Sequence, residues 1–289
     1  MAVEIAIISG KGGTGKTTIA AAFTAISHNL VTADCDVDAP DLHILLQPET
    51  KKTAEFQSSK VALINPETCT ECGLCEEKCR FEAIHPPRVN AISCEGCGVC
   101  AYICPEKAIE MKPRTSGFLY ESMTRFGPMS HAKLLPGEGN SGKLVTEVRR
   151  QAQELARSND QDITLIDGSP GIGCPVIATV SGIKLGVIVT EPTLSGIHDM
   201  ERVMTLLERF RVHTMVLVNK CDLNSENTQR IEQICAKNGV EFLGKIPFDS
   251  IMTESMVAAK TLPEFDPNHM ITHSLKSMWD KITEFVSSE

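Results

Sequence analysis

The chain has 289 residues, a formal net charge of −9 and 12 cysteines. That length suffices to bury a sizeable core, and the negative balance gives no broad electrostatic drive toward nucleic acid or anionic membrane, which leaves small ligands and protein partners. No apolar run approaches the roughly 20 residues that span a bilayer, and the opening Met1-Ala2-Val3-Glu4 lacks the basic and apolar stretches of a secretory signal, so a cytoplasmic protein with reduced thiols and no stable membrane insertion is expected.

In chain order, residues 3–9 form a β-branched apolar run that predicts a buried parallel strand ending at Gly10. A glycine-rich loop and a helix follow it. Similar runs at 162–167, 185–190, 213–219 and 241–246 alternate with helical stretches at 144–157, 197–210 and 225–237, which implies a parallel α/β sheet. Between 60 and 112 the alternation stops and a cysteine-rich segment with two short repeats takes over. Pro113 to Gly142 is rich in Gly, Pro and Ser without a clean period, so a long loop or linker is expected there. Over 270–286, Ile271, Leu275, Met278, Ile282 and Phe285 share one helical face. Lys276, Asp280, Lys281 and Glu284 make a poor membrane-binding face, so this helix is expected to pack on the core.

Gly10-Lys11-Gly12-Gly13-Thr14-Gly15-Lys16-Thr17 fits G-x-x-x-x-G-K-S/T between a strand and a helix, the context of a phosphate-binding loop. Glycines let backbone N–H groups turn in on the phosphates, Lys16 reaches the β and γ oxygens, and the Thr17 hydroxyl ligates Mg2+, with Thr18 beside it. Asp36 and Asp167 end apolar strands, where a carboxylate projects over the ligand crevice. Asp38 and Asp41 read equally well as turn or cap residues. Asn219-Lys220-Cys221-Asp222 follows a strand at the base-binding position and spells N-K-x-D, in which an aspartate can accept from guanine.

Cys69-x2-Cys72-x2-Cys75-x3-Cys79 is followed by Cys94-x2-Cys97-x2-Cys100-x3-Cys104-Pro105. In this spacing three thiolates of one run face one cubane and the fourth reaches the other. The expected ligand sets are therefore Cys69, Cys72, Cys75 and Cys104 for one 4Fe-4S cluster, and Cys79, Cys94, Cys97 and Cys100 for the second. Zinc is the alternative that any single C-x2-C pair leaves open. Cys35, Cys174, Cys221 and Cys235 read as packing residues.

Lys11 is an extra lysine that a plain phosphate loop does not need. With it, Gly-Lys-Gly-Gly-Thr-Gly-Lys-Thr resembles the deviant Walker motif of the MinD, ParA, Mrp and nitrogenase iron-protein superfamily. The cysteine segment resembles bacterial two-cluster ferredoxins, departing from them at Arg80, where a proline usually stands. The stretch from Gly137 to Val145 adds a likeness to ferredoxin-containing members of that superfamily.

These resemblances imply an α/β P-loop NTPase with a mostly parallel sheet flanked by helices (1–59 and 113–289) and an inserted α+β ferredoxin module (60–112). They also imply ATP and Mg2+ as ligands and a homodimer in which Lys11 acts on the partner's nucleotide. Asp36 then orients the attacking water, Asp167 holds the magnesium shell, the Gly171 N–H senses the γ-phosphate, and Asn219 and Asp222 lie at the base, with ATP favoured over GTP. The function implied is an ATPase coupling dimer rearrangement to electron transfer toward a redox or iron-sulfur acceptor protein. An Mrp-like cluster carrier or scaffold and a positioning or complex-assembly ATPase are the alternatives.

Overall fold

A computed structural model describes residues 2–27 and 29–288. The chain divides into two compact units, one of Met1–Thr53, Leu119–Lys133 and Ser141–Glu289, the other of Ala54–Phe118 and Leu134–Asn140. The elements in order begin with β1 (Val3–Ser9), α1 (Lys16–Ile26), β2 (Leu30–Asp34), α2 (Leu42–Leu46) and β3 (Glu49–Ile64). Next come α3 (Leu74–Glu77), β4 (Ile84–His85), β5 (Arg88–Val89), α4 (Val99–Ile103), β6 (Ile109–Thr124) and β7 (Gly127–Leu134). Then follow α5 (Ser141–Ser158), β8 (Ile163–Pro170), α6 (Cys174–Val180), β9 (Leu185–Thr190), α7 (Leu194–Arg209) and β10 (His213–Asn219). The chain closes with α8 (Ser225–Lys237), β11 (Glu241–Ile246), α9 (Ile251–Val257), α10 (Leu262–Phe265) and α11 (Met270–Ser287).

The main sheet runs β11-β10-β9-β1-β8-β2-β7-β6-β3. The pairings of β1 with β8 and β9, of β10 with β9 and β11, and of β2 with β7 and β8 are all parallel. Strands β1, β8, β9 and β10 lack hydropathy alternation because helices cover both faces of a parallel sheet, and Ile5 to Ile8 are fully buried accordingly. Helix α11 lays Ile271, Leu275, Met278, Trp279 and Ile282 into the same core as Phe23 and Leu217, with the Phe23 and Trp279 rings 5.3 Å apart. Its apolar face is therefore a core face. Among the described residues no helix is long and apolar enough to cross a membrane.

The expected loop at 113–142 is corrected. Most of it is β6 and β7, and only residues 135–140 lie between β7 and α5. The period was hidden because several inward positions are hydroxyl residues, Ser116, Ser122, Thr124 and Ser130. Partners replace water for them: Ser122 Oγ bonds His131 Nε2 at 2.9 Å, Thr124 Oγ1 donates to Gly127 O, and Ser130 Oγ donates to Val148 O.

In the second unit the two cysteine runs build the same structure twice. Gly73 and Gly98 start α3 and α4 in left-handed conformations at φ 78° and 77°. Glu82 and Lys107 repeat a positive φ of 50° and 51°. Ala83 N–H donates to Cys79 Sγ at 3.4 Å, and Ala108 N–H donates to Cys104 Sγ at 3.4 Å.

Candidate functional site

The first unit holds a cleft of about 490 Å3 at the C-terminal ends of the central strands. Gly12 to Thr18 line it along one side, with Asp36, Asp41 and Asn219, and the segment from Pro247 to Met256 closes the other. Gly13 and Gly15 take φ of 81° and 90°, which turns the loop backbone as a phosphate cradle requires. Gly10 abuts Asp199 of α7 so closely that any Cβ would collide.

Lys16 Nζ lies 2.6 Å from Asp167 Oδ1, 3.3 Å from Thr17 Oγ1 and 4.0 Å from Asp36 Oδ2. Burial disfavours the Lys16 charge, but the Asp167 charge and hydrogen bond outweigh it, and the lysine's pKa is raised. Asp34, fully buried beside Asp167 in the β2–β8 register, is pushed well above the carboxylate range by burial and then by Asp167. Asp36 is raised to about 6, chiefly by burial, with Lys16 opposing. Among the described residues the Oδ2 atoms of Asp34 and Asp167 and the Thr14 hydroxyl are buried without protein partners. This is a polar space built for charge that the chain does not itself supply.

Lys11 stands outside the cleft lining. Its Nζ pairs with Glu191 Oε1 at 2.6 Å and contacts Ser195 Oγ at 3.0 Å and Thr193 Oγ1 at 3.3 Å, all in its own chain. Glu191 also takes Lys220 at 3.3 Å. The Gly171 N–H donates to Ser9 O at 2.8 Å, so in this state it points at protein. Asn219 Nδ2 donates to Thr14 O at 2.8 Å, and Lys220 Nζ donates to Gly13 O at 3.1 Å. Asp222 is exposed and lies outside the lining, and its Oδ1 accepts the Phe248 N–H at 2.6 Å. Of the N-K-x-D tetrad, Asn219 and Lys220 pin the phosphate loop, and Asp222 pins the segment that begins at Pro247.

Glu191 and the Pro247–Met256 wall escaped sequence reasoning. Each follows an apolar strand, β9 or β11, so the strand-end rule that singled out Asp36 and Asp167 also points to them.

In the second unit, one cavity is lined by Cys69, Cys72, Cys75 and Cys104, and a separate one by Cys79, Cys94, Cys97 and Cys100. Burial pushes the Cys75 and Cys100 thiols up. Among the described residues no group of three or more His, Cys, Asp or Glu side chains closes on a single metal ion, and each set of four thiols stands around a cavity instead.

Fold and cleft define a P-loop nucleotide-binding protein of the α/β class. Residues 5–262 match the CobQ/CobB/MinD/ParA nucleotide binding domain, and the chain belongs to that family. An uncharacterised protein of Methanocaldococcus jannaschii is 35% identical over 98% of both chains. An iron-sulfur cluster carrier protein of Pyrococcus horikoshii is 25% identical, over 85% of this chain and 74% of its own. The crystal structure of the cell division ATPase MinD of Pyrococcus furiosus superposes with a TM-score of 0.60 at 16% identity, covering 99% of this chain and 100% of that one, which is a likeness of fold.

Proposed function

We propose that this protein is a cytoplasmic ATPase that couples nucleotide occupancy to electron transfer through two 4Fe-4S clusters toward a protein partner, residues 60–112 forming an inserted ferredoxin module. The observation that carries the reading is the sorting of eight cysteines into two sets of four around separate cavities, in a chain that also holds the phosphate-loop cleft. Four thiols per cavity, with a backbone N–H donated to one sulfur of each set, suit a resident cluster. Such clusters supply one-electron chemistry at a potential set by charge, hydrogen bonds and exposure.

On this reading ATP displaces Asp167 from Lys16, which then neutralises the β and γ oxygens. The freed Asp167 and the Thr17 hydroxyl would hold Mg2+, and the unpartnered Oδ2 atoms of Asp167 and Asp34 fit a cation and its water shell. Asp36, ionised at neutral pH, orients the attacking water. Lys11 leaves Glu191, Thr193 and Ser195 to reach the nucleotide of a second copy in a homodimer, and Gly171 gives up Ser9 O for the γ-phosphate.

A second reading, an iron-sulfur cluster carrier, is favoured by the names of relatives such as the P. horikoshii protein. The two readings share the clusters and differ in whether they leave. Anaerobically purified protein is expected to carry about eight iron and eight acid-labile sulfides per chain. Stoichiometric zinc without sulfide refutes both readings, and rapid transfer of both clusters to an apo-ferredoxin favours the carrier.

A further inference from the structure

Beside the second cysteine set the same unit contains an arrangement that the reading above does not use. A cavity of about 250 Å3 is lined by Cys94 and Glu95 on one side and by Ser59, Arg114 and the Gly137–Asn140 segment on the other. Arg114 Nη2 pairs with Glu138 Oε1 at 2.7 Å, and the side chains are only 19% and 11% exposed. The guanidinium also donates through Nη1 to the carbonyl of Ala91, three residues before Cys94, while its Nε is buried without a partner among the described residues. Ser59 Oγ reaches Glu138 at 3.4 Å and Asn140 Nδ2 reaches Ser58 Oγ at 3.3 Å, which fixes the acidic half.

Burying an ion pair has a desolvation cost, and its charges act over several ångströms at low effective dielectric. The other ion pairs within this unit, Lys78 with Glu77, His85 with Glu76 and Lys112 with Glu110, are far more exposed and are screened by water. The arrangement is also one-sided. The internal repeat gives the first run no counterpart, since Val89 stands where the repeat would put Arg114. Among the described residues no cationic side chain lines the Cys69, Cys72, Cys75 and Cys104 cavity, and the one cation lining the second, Lys78, is exposed.

We propose that the half-buried Arg114–Glu138 pair sets the reduction potential of the cluster held by Cys79, Cys94, Cys97 and Cys100 apart from that of the other, so that two sites of near-identical ligation differ in electron affinity. The proposal rests on the reading that both cysteine sets hold 4Fe-4S clusters. Reduction adds a negative charge to the cluster. A nearby guanidinium therefore favours the reduced form and a nearby carboxylate opposes it, and the pair's net effect follows whichever charge lies closer to the cluster.

The test is a redox titration of anaerobically purified full-length protein with dithionite and mediators, followed by electron paramagnetic resonance. A Cys72→Ala chain, which lacks a ligand of the first set, assigns the two signals. Arg114→Gln is expected to lower the potential of the second cluster, changing its reduced-to-oxidised ratio about tenfold, or about 59 mV for one electron. Glu138→Gln is expected to raise it, the double variant to bring the two clusters' potentials closer together than in wild type, and the first cluster's potential to stay in place throughout. Arg114→Lys keeps the charge, and with it the potential, if Arg114→Gln fails to fold. Shifts of the same sign in the two single variants, equal shifts in both clusters, or no shift overturn the proposal while the clusters stand. Wild-type protein without two cluster signals overturns the underlying reading, and the proposal falls with it.

Discussion

Asp222 occupies the guanine-reading position of N-K-x-D, yet its carboxylate accepts the Phe248 N–H at 2.6 Å and lies outside the cleft lining. Removing it by Asp222→Ala should therefore loosen the Pro247–Met256 wall and weaken ATP binding. A hydrogen bond to a charged group contributes about 1.5–3 kcal/mol, and because Asp222 is exposed, water recovers part of that. A net loss of about 1–1.5 kcal/mol corresponds to a rise of about 5- to 13-fold in the ATP Kd. Asp222→Asn keeps an oxygen that accepts from Phe248 and should behave nearly as wild type. Titration calorimetry with Mg-ATP and Mg-GTP separates the two roles. Tight GTP binding that collapses in both variants, with ATP binding unchanged, would refute the reasoning and make Asp222 a guanine reader.

Lys11→Ala and Asp36→Ala chains should each be nearly inactive in ATP hydrolysis, and an equal mixture should recover about a quarter of wild-type activity, since half the dimers are mixed and each rebuilds one of two sites. No recovery, with subunit exchange shown separately, would mean that Lys11 acts only in its own chain. Cys104→Ala should damage the cluster of Cys69, Cys72 and Cys75, its cavity partners, while the cluster of its sequence neighbours Cys94, Cys97 and Cys100 survives. His131 is held down to about 4 by burial and then by His43. The unfolded chain takes up that proton first as pH falls, so this contribution to stability is present above the unfolded pKa near 6.5 and is lost on the way down to 4. Urea unfolding at pH 7 and 5 should show wild type losing about 2 kcal/mol more than His131→Gln.

The site was legible wherever chemistry demands a fixed spacing. The phosphate loop needs glycines and Lys16 at set positions, and the cysteine runs need their repeat, so both stand out in the sequence. The buried parallel strands were equally plain, because apolar runs such as 185–190 have no other use. Strands β6 and β7 were not legible, since paired hydroxyls at Ser122, Thr124 and Ser130 fill inward positions and erase the alternation. Nor was the use made of Asp222 and Glu191, because a carboxylate's partner is a matter of tertiary geometry. Glu191 holds Lys11 and Lys220, and a sequence shows only that an acid follows a strand.

Coupling between nucleotide and clusters is the central claim, and the reduction potentials of both clusters in the presence and absence of Mg-ATP test it most directly. Under strictly anaerobic conditions the account predicts that Mg-ATP shifts at least one potential, that a Lys16→Ala chain shows no shift, and that both clusters survive repeated reduction and oxidation. Potentials identical with and without saturating Mg-ATP, in protein that binds the nucleotide and holds both clusters, would contradict it.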